Sequence, residues 1–117
     1  LLLEGKAPLK RIVNVSSTGA RTGGIYNATV YSASKSGMVS MTKAFARHFA
    51  PSQILVNAVC PGTVDTRLMQ NLSADALQAS INAVPLKRLA QPNEIASVVS
   101  LWHRTVRCTN LLFMCFV

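Results

Sequence analysis

Apolar and polar residues follow one another in blocks that predict strands and helices in turn. The segment Arg11–Ser17, "RIVNVSS", places β-branched side chains before polar ones, which predicts a buried strand that ends in a loop. Gln53–Val59, "QILVNAV", is apolar on both faces, as in a parallel strand covered by helices. Between these strands, residues 18–30 carry three glycines and predict a loop. Apolar and small residues then recur at helical spacing from about Val30 to Phe49, which predicts a helix.

Two further helices are predicted downstream. Ser73–Val84 begins with a good N-cap residue, and Gln91–Leu101 begins with Pro92 and Glu94, which suit a first helical turn. A helical crossover between two buried strands favours a right-handed βαβ unit. The predicted fold is therefore α/β: part of a doubly wound, Rossmann-type parallel sheet in three layers. Ligands of such sheets bind beyond the carboxyl ends of the strands, where "SSTG" and "CPGTVDT" lie.

Composition narrows the classes of partner. The net charge is +8, yet the basic residues are scattered and form no dense block, so we expect no nucleic-acid partner. No apolar run approaches the about 20 residues of a membrane span, so no membrane partner is expected. Cys60, Cys108 and Cys115 are odd in number and lack C-x-x-C spacing. They predict reduced thiols, a cytoplasmic location and no metal site.

The candidate chemistry centres on "YSASK", Tyr31 to Lys35. Four residues make about one helical turn, so the phenol and the ammonium group share a face of the helix. A nearby positive charge favours the phenolate and so lowers the pKa of a tyrosine toward the range useful for acid–base catalysis. The small residues between them would let a substrate and a cofactor approach. The alternative is a buried Tyr31 and a solvated Lys35 that share a face by chance.

Other polar groups fall on the same predicted rim of the sheet. The hydroxyl of Ser17 can hydrogen-bond a carbonyl oxygen while Tyr31 donates a proton to it. Pro61-Gly62 supplies a rigid turn, and Thr66 adds a hydroxyl. Each has an ordinary alternative, as turn residues or as an N-cap. Their combined order and spacing favour a catalytic site.

This combination resembles the classical branch of the short-chain dehydrogenase/reductase family. The matching text is "RIVNVSS", "YSASKSGMVSMTKAFARHFAPSQILVNAVCPGTVDT" and "PLKRLAQPNEIASVVSL", over about Leu9 to Leu101. Within this family, the sequence is most similar to 3-oxoacyl-(acyl-carrier-protein) and polyketide ketoreductases or to 3-hydroxyacyl dehydrogenases. The resemblance implies an NAD(P)-dependent oxidoreductase that transfers hydride between the nicotinamide cofactor and a carbonyl or secondary alcohol, of the 3-oxoacyl or polyketide type. An extended-branch epimerase or dehydratase shares the Tyr-x-x-x-Lys pair and stays an alternative.

The resemblance also assigns roles. Ser17 orients the substrate carbonyl, Tyr31 donates or accepts the proton, and Lys35 lowers the pKa of Tyr31 and holds the nicotinamide ribose. Residues 67–86 match a variable lid over a small-molecule substrate. The cofactor is NADP or NAD, with NADP preferred, and the parent protein is expected to be a homotetramer or homodimer. The implied cofactor-binding residues are Tyr31, Lys35, Pro61, Gly62, Val64 and Thr66.

The chain departs from the family pattern near its candidate serine. Ser17 stands fourteen residues before Tyr31, one more than is usual in the family. Thr18 has the usual spacing and Ser16 is adjacent, but "NVSS" aligns best with Ser17. Tyr26 has no lysine four residues on and is interpreted as a substrate-pocket residue.

We further expect this chain to be a fragment. It does not begin with Met, and it lacks the family's first strand and glycine-rich, phosphate-binding turn, so residues 1–101 are interpreted as the C-terminal half of the domain. Without the anion-binding helix N-terminus such a half cannot grip the adenosine and pyrophosphate. The chain alone is therefore expected to be inactive, and a catalytically inactive truncated protein is an alternative to the enzyme.

Residues 102–117 depart from the family altogether. The codons of "WHRTVRCT", read one frame along, permit Ala-Ser-Asp-Gly-Ala-Val-Tyr, which follows the family pattern. We interpret this tail as a shifted-frame translation that should lack the family's last strand. Its Arg104, Arg107, Cys108 and Cys115 are then expected to carry no function.

Overall fold

A parallel sheet of three strands lies at the centre of the computed structural model, which describes residues 9–24, 28–105, 107–109 and 112–115. The strands are β1 (Lys10–Val15), β2 (Ile54–Pro61) and β3 (Leu112–Cys115), in the spatial order β1-β2-β3. The β1–β2 register runs from Lys10 opposite Ile54 to Val15 opposite Val59. The predicted α/β class and the parallel pairing are confirmed.

Five α-helices are described in the same ranges, and the predicted helices are among them. The crossover between β1 and β2 is a helix of 21 residues, and the Ser73 hydroxyl caps the fourth helix by accepting from Ala76 N at 3.3 Å. One prediction was wrong: the segment expected to be only a loop contains a short helix. The bounds are α1 (Gly19–Thr22), α2 (Thr29–Phe49), α3 (Arg67–Gln70), α4 (Ala74–Ala83) and α5 (Pro92–Arg104), with a 3₁₀ turn at Ala50–Ser52.

The core lies on both faces of β2, as its apolar sequence predicted. Ile54 and Val56 pack with Ala46 of α2 on one face, with Ile12 and Phe49 at the margin. Successive side chains of a strand point to opposite faces, so Val59 faces the other way. There it packs against Trp102, with α5 forming the second helical layer.

The end of β2 lies later than expected. The sequence predicted a break after Val59, but the strand continues through Cys60 to Pro61. Proline lacks an N–H donor, yet its carbonyl can still accept, and Pro61 O accepts from Thr18 N at 2.9 Å. Pro61 is therefore tolerated as the last residue of the strand.

The tail also differs from expectation. We expected residues 102–117 to lack the family's last strand, yet the described part of the tail includes β3, which pairs in parallel with β2 from Ala58–Leu112 to Pro61–Cys115. The physical reason is the apolar sequence "LFMC" of residues 112–115, which suits pairing with the free edge of β2. Trp102, placed in the tail by the sequence, belongs to α5 and to the core.

A membrane-crossing helix is not found: none of those in the described ranges combines the length and apolar character needed.

Candidate active site

The candidate acid–base pair lies on the first turns of α2. The ammonium nitrogen of Lys35 lies 5.6 Å from the centroid of the Tyr31 ring, within the range of a cation–π interaction. The Tyr31 residue is 46% exposed and lies at the surface of α2. The hydroxyl of Ser34 donates to the Tyr31 carbonyl at 2.7 Å within the same turn. The helix thus brings the two predicted residues together on one face.

Lys35 is fixed to the end of β1. Its ammonium group donates to the carbonyl of Val15, the last residue of the strand, at 3.1 Å. The Val15 carbonyl projects from the carboxyl end of the sheet, where ligands of such folds bind. The contact therefore places the positive charge of Lys35 at the predicted rim.

Ser17 follows directly at the same rim. Its hydroxyl oxygen accepts from Gly19 N at 3.1 Å, which shapes the turn into α1. The next residue, Thr18, donates its N–H to the Pro61 carbonyl at 2.9 Å and so ties this turn to the end of β2. The first two elements of the predicted site, the Ser17 turn and the Pro61 turn, therefore meet.

The two serines of "NVSS" have different environments. Ser16 is only 4% exposed and its hydroxyl donates to the Lys35 carbonyl at 2.9 Å, whereas Ser17 is half-buried. A residue that contacts substrate must be reachable, and this favours Ser17 over Ser16.

The loop after β2 is held by main-chain contacts. Val64 forms an isolated parallel bridge with Ala90, supported by bonds from Ala90 N to Thr63 O at 3.0 Å and from Asp65 N to Ala90 O at 2.8 Å. Thr66 occupies the N-cap position of α3, but its hydroxyl makes no capping bond. Within the described residues, no hydrogen bond joins Thr66 or Val64 to Tyr31 or Lys35.

Sequence reasoning assigned no role in the site to Ser16 and Cys60, which lie next to it. Ser16 links three segments, because its N–H donates to Val59 O at 2.7 Å while its hydroxyl donates to Lys35. Cys60 is only 2% exposed and lies at the end of β2. Burial raises the pKa of the Cys60 thiol, against the lowering effect of the nearby Ser16 and Ser17 and of the Lys35 charge. Their position in the sequence could have identified them, since both residues lie at the carboxyl end of a strand, where ligands of parallel sheets bind.

A third residue to which sequence reasoning assigned no role, Ser32, lies against Gly24 of the preceding loop. Its buried hydroxyl has no hydrogen-bond partner among the described residues. Gly24, at φ +80°, lies so close that an added Cβ would stand 2.6 Å from this hydroxyl and 2.7 Å from the Ala28 Cβ. Glycine is therefore required there on two grounds, positive φ and close approach.

Tyr26, the predicted pocket residue, lies outside the described residues. No group of three or more potential metal ligands occurs in the described part of the chain.

The sequence was compared with models of known protein families. Residues 3–103 match a family model described as enoyl-(acyl carrier protein) reductase, a short-chain dehydrogenase/reductase family. The chain belongs to the short-chain dehydrogenase/reductase family. The resemblance of "RIVNVSS", "YSASK" and "CPGTVDT" to that family is thereby confirmed.

Curated members of the family resemble this chain over most of its length. It is 40% identical over 89 residues to the 3-oxoacyl-(acyl-carrier-protein) reductase FabG of Aquifex aeolicus, covering 76% of this chain and 36% of that protein. It is 43% identical over 89 residues to the acetoacetyl-CoA reductase of an Acinetobacter species, again covering 76% of this chain and 36% of that protein.

A solved structure agrees. A variant of actinorhodin polyketide ketoreductase determined with NADPH matches with a TM-score of 0.79 and 34% identity, covering 92% of this chain and 46% of that one. The chain therefore spans less than half the length of the short-chain dehydrogenases it matches here.

Proposed function

We propose that the protein to which this chain belongs is an NAD(P)-dependent ketoreductase acting on a 3-oxoacyl or polyketide-type ketone. The observation that carries the proposal is the contact of Lys35 with both Tyr31 and Val15 at the carboxyl end of β1. The relatives named as 3-oxoacyl, acetoacetyl-CoA and polyketide ketoreductases support the substrate class. We propose NADP over NAD as the cofactor, since the solved ketoreductase was determined with NADPH.

The residues of the site suit the nicotinamide end of such a cofactor. Lys35 has three N–H donors, and the Val15 carbonyl takes one of them, so donors remain for ribose hydroxyls. The phenol of Tyr31 lies on the same face of α2. We propose that the Pro61-Gly62 turn, the Val64 backbone and the Thr66 hydroxyl hold the carboxamide, because the Thr66 hydroxyl is not used in capping.

When bound, the reduced cofactor supplies the hydride that reaches the carbonyl carbon. Ser17 donates a hydrogen bond to the carbonyl oxygen and orients it. Tyr31 transfers its hydroxyl proton to that oxygen as the alcohol forms, and the ammonium charge of Lys35 stabilises the resulting phenolate. In the reverse direction, the Tyr31 phenolate accepts the proton of the alcohol.

We also propose that a further part of the family fold covers the outer side of β1. Within the described residues, β1 pairs only with β2, and Val15 is 47% exposed. A groove of about 550 Å³ runs beside it, between β1 and α5, and is lined by Val13, Ile95 and Val99 among others. Apolar residues at a strand edge favour a covering element over solvent.

Assembly and location are proposed as well. The side chains of Met41 and Phe45 are exposed on α2, which supports a homodimer or homotetramer of the whole protein. Cys60 and Cys108 are free thiols, which suits the cytoplasm.

The test joins this chain to the preceding part of the Aquifex aeolicus reductase, at the start of the aligned region. The fusion, with an intact Tyr31, should oxidise NADPH in the presence of acetoacetyl-CoA or another 3-oxoacyl thioester. A folded fusion that binds NADPH but reduces none of these ketones would favour the inactive-protein alternative. Activity on a nucleotide sugar without net NADPH oxidation would favour an epimerase.

A further inference from the structure

Lys35 is held at two points by consecutive residues at the end of β1. Its ammonium group donates to the Val15 carbonyl at 3.1 Å, and its main-chain carbonyl accepts from the Ser16 hydroxyl at 2.9 Å. One strand end thus fixes both the backbone and the far end of the same side chain. A long, flexible lysine side chain loses much of its freedom under two such restraints.

Ser16 is itself fixed. It is buried, and its N–H donates to Val59 O at 2.7 Å, which continues the β1–β2 ladder by one residue. A run of hydrogen bonds therefore leads from Val59 of β2 through Ser16 to the Lys35 backbone.

General packing of α2 on the sheet does not need this serine. Two turns further along α2, the Asn14 side chain donates to the Thr42 hydroxyl at 2.9 Å, and Thr42 donates to Met38 O at 2.8 Å. That contact already joins β1 to α2, alongside the apolar packing of Ala46 on Ile54 and Val56. What Ser16 adds is a restraint at Lys35 itself.

We propose that Ser16 is a positioning residue, which fixes the Lys35 backbone so that the ammonium group stays between Val15 and the Tyr31 ring. It acts through Lys35 and touches neither substrate nor cofactor. Its catalytic consequence rests on the proposed function, but the restraint on Lys35 is a property of this chain alone. The two parts are therefore tested separately.

The restraint is tested in the 117-residue chain by the rate at which an amine-reactive reagent labels each lysine, followed by mass spectrometry. Loss of one hydrogen bond in Ser16→Ala should raise the labelling rate of Lys35 about threefold to tenfold. Lys10 and Lys43 in the same chain should keep their rates. Ser16→Cys, which retains a weaker donor of similar size, should give a smaller increase.

Ser34→Ala is the matched control, because Ser34 also donates to a main-chain carbonyl of α2 but is exposed and does not contact the strand. Its Lys35 rate should not change. If Ser16→Ala unfolds, seen as equal increases at all lysines and a lost circular dichroism signal, Ser16→Cys decides. An unchanged Lys35 rate in the folded variant overturns the proposal.

The catalytic consequence is tested in the fusion with the Aquifex aeolicus segment. Ser16→Ala should lower kcat and raise the KM for NADPH, as Lys35→Met does, and Ser16→Cys should restore part of both. A fall in kcat with an unchanged KM for NADPH would make Ser16 merely structural and overturn the proposal. If the unmutated fusion is inactive, the proposed function fails while the labelling result still decides the restraint.

Discussion

The ammonium group of Lys35 lies 5.6 Å from the centre of the Tyr31 ring and also donates to Val15 at the end of β1. The pair is therefore tied to the sheet rather than free on the helix surface. A solvated lysine that shared a face with Tyr31 by chance would have no such anchor. This relationship supports the proposal that the two residues have different roles in one proton transfer.

Replacement of Tyr31 by phenylalanine tests the proton donor. In the active fusion, Tyr31→Phe should lower turnover by at least about a hundredfold, the usual scale for a positioned acid–base group. Steady-state kinetics with a 3-oxoacyl thioester measure it, and Ser34→Ala on the same turn should keep nearly full turnover. Near-normal activity of Tyr31→Phe would remove this residue from the proposed role.

Replacement of Lys35 by methionine tests the cation. Lys35→Met keeps an unbranched apolar chain but loses the charge and the donors, so the KM for NADPH should rise. The positive charge that would stabilise the developing negative charge on the Tyr31 oxygen is also lost, so kcat should fall. Steady-state kinetics of the two fusions with NADPH and a 3-oxoacyl thioester give the comparison. An unchanged KM for NADPH together with an unchanged kcat would mean that Lys35 has a structural role only.

Local patterns were predictable from the sequence. The Tyr31–Lys35 spacing brings the two side chains together on any helix, and the apolar character of β2 on both faces implied helices on both sides. Both inferences depend on residues close together in the chain. They needed no knowledge of which elements lie side by side.

Contacts between distant segments were not predictable. The hydroxyl of Ser16 reaches the Lys35 carbonyl, nineteen residues away, only after β1 and α2 have packed. The end of β2 was misplaced because Pro61 is a poor strand residue by itself and is accepted only as a last residue that receives a bond from Thr18. The tail strand was missed because departure from the family pattern outweighed its apolar character.

The 117-residue chain alone should bind NADPH weakly. Its candidate contacts address the nicotinamide ribose and carboxamide, and it spans 46% of the ketoreductase determined with NADPH. Few contacts leave little free energy to offset the entropy lost on association. Isothermal titration calorimetry measures the affinity, with the active fusion as the positive control. Submicromolar binding by the chain alone would contradict the prediction.

Acid should weaken the start of α5 through Glu94. The Arg88 guanidinium, which donates to both carboxylate oxygens at 2.7 and 2.8 Å, and the Gln91 N–H lower the pKa of Glu94 from 4.5 to about 2. A carboxyl whose pKa is lower in the folded state stabilises that state fully above its ordinary pKa. The contribution falls as the pH drops from about 4.5 through about 2.

Urea unfolding of the chain and of Glu94→Gln at several pH values tests this. The variant should be less stable near neutral pH, and the difference should narrow below pH 4.5 and close near pH 2. Asp75→Asn, in the first turn of α4, is the control for general loss of an acidic residue. A difference between wild type and Glu94→Gln that stays constant with pH would show that the ion pair does not contribute.

The reading frame of the tail is the last prediction. If residues 102–117 are a shifted-frame translation, the source DNA read one frame along should encode Ala-Ser-Asp-Gly-Ala-Val-Tyr across the codons of "WHRTVRCT". Only the Ala is forced by the genetic code, so the following six residues carry the test. The hypothesis also requires a Thr-Gly turn after this run. The codons of Asn110 and Leu111 cannot encode one in that frame, so the source DNA must supply it in another frame. Among the described residues of the tail, Trp102 lies in the core and residues 112–115 pair with β2. Other residues at the Ser and Asp codons of the alternate frame would rule out the frameshift and make the tail a true part of the protein.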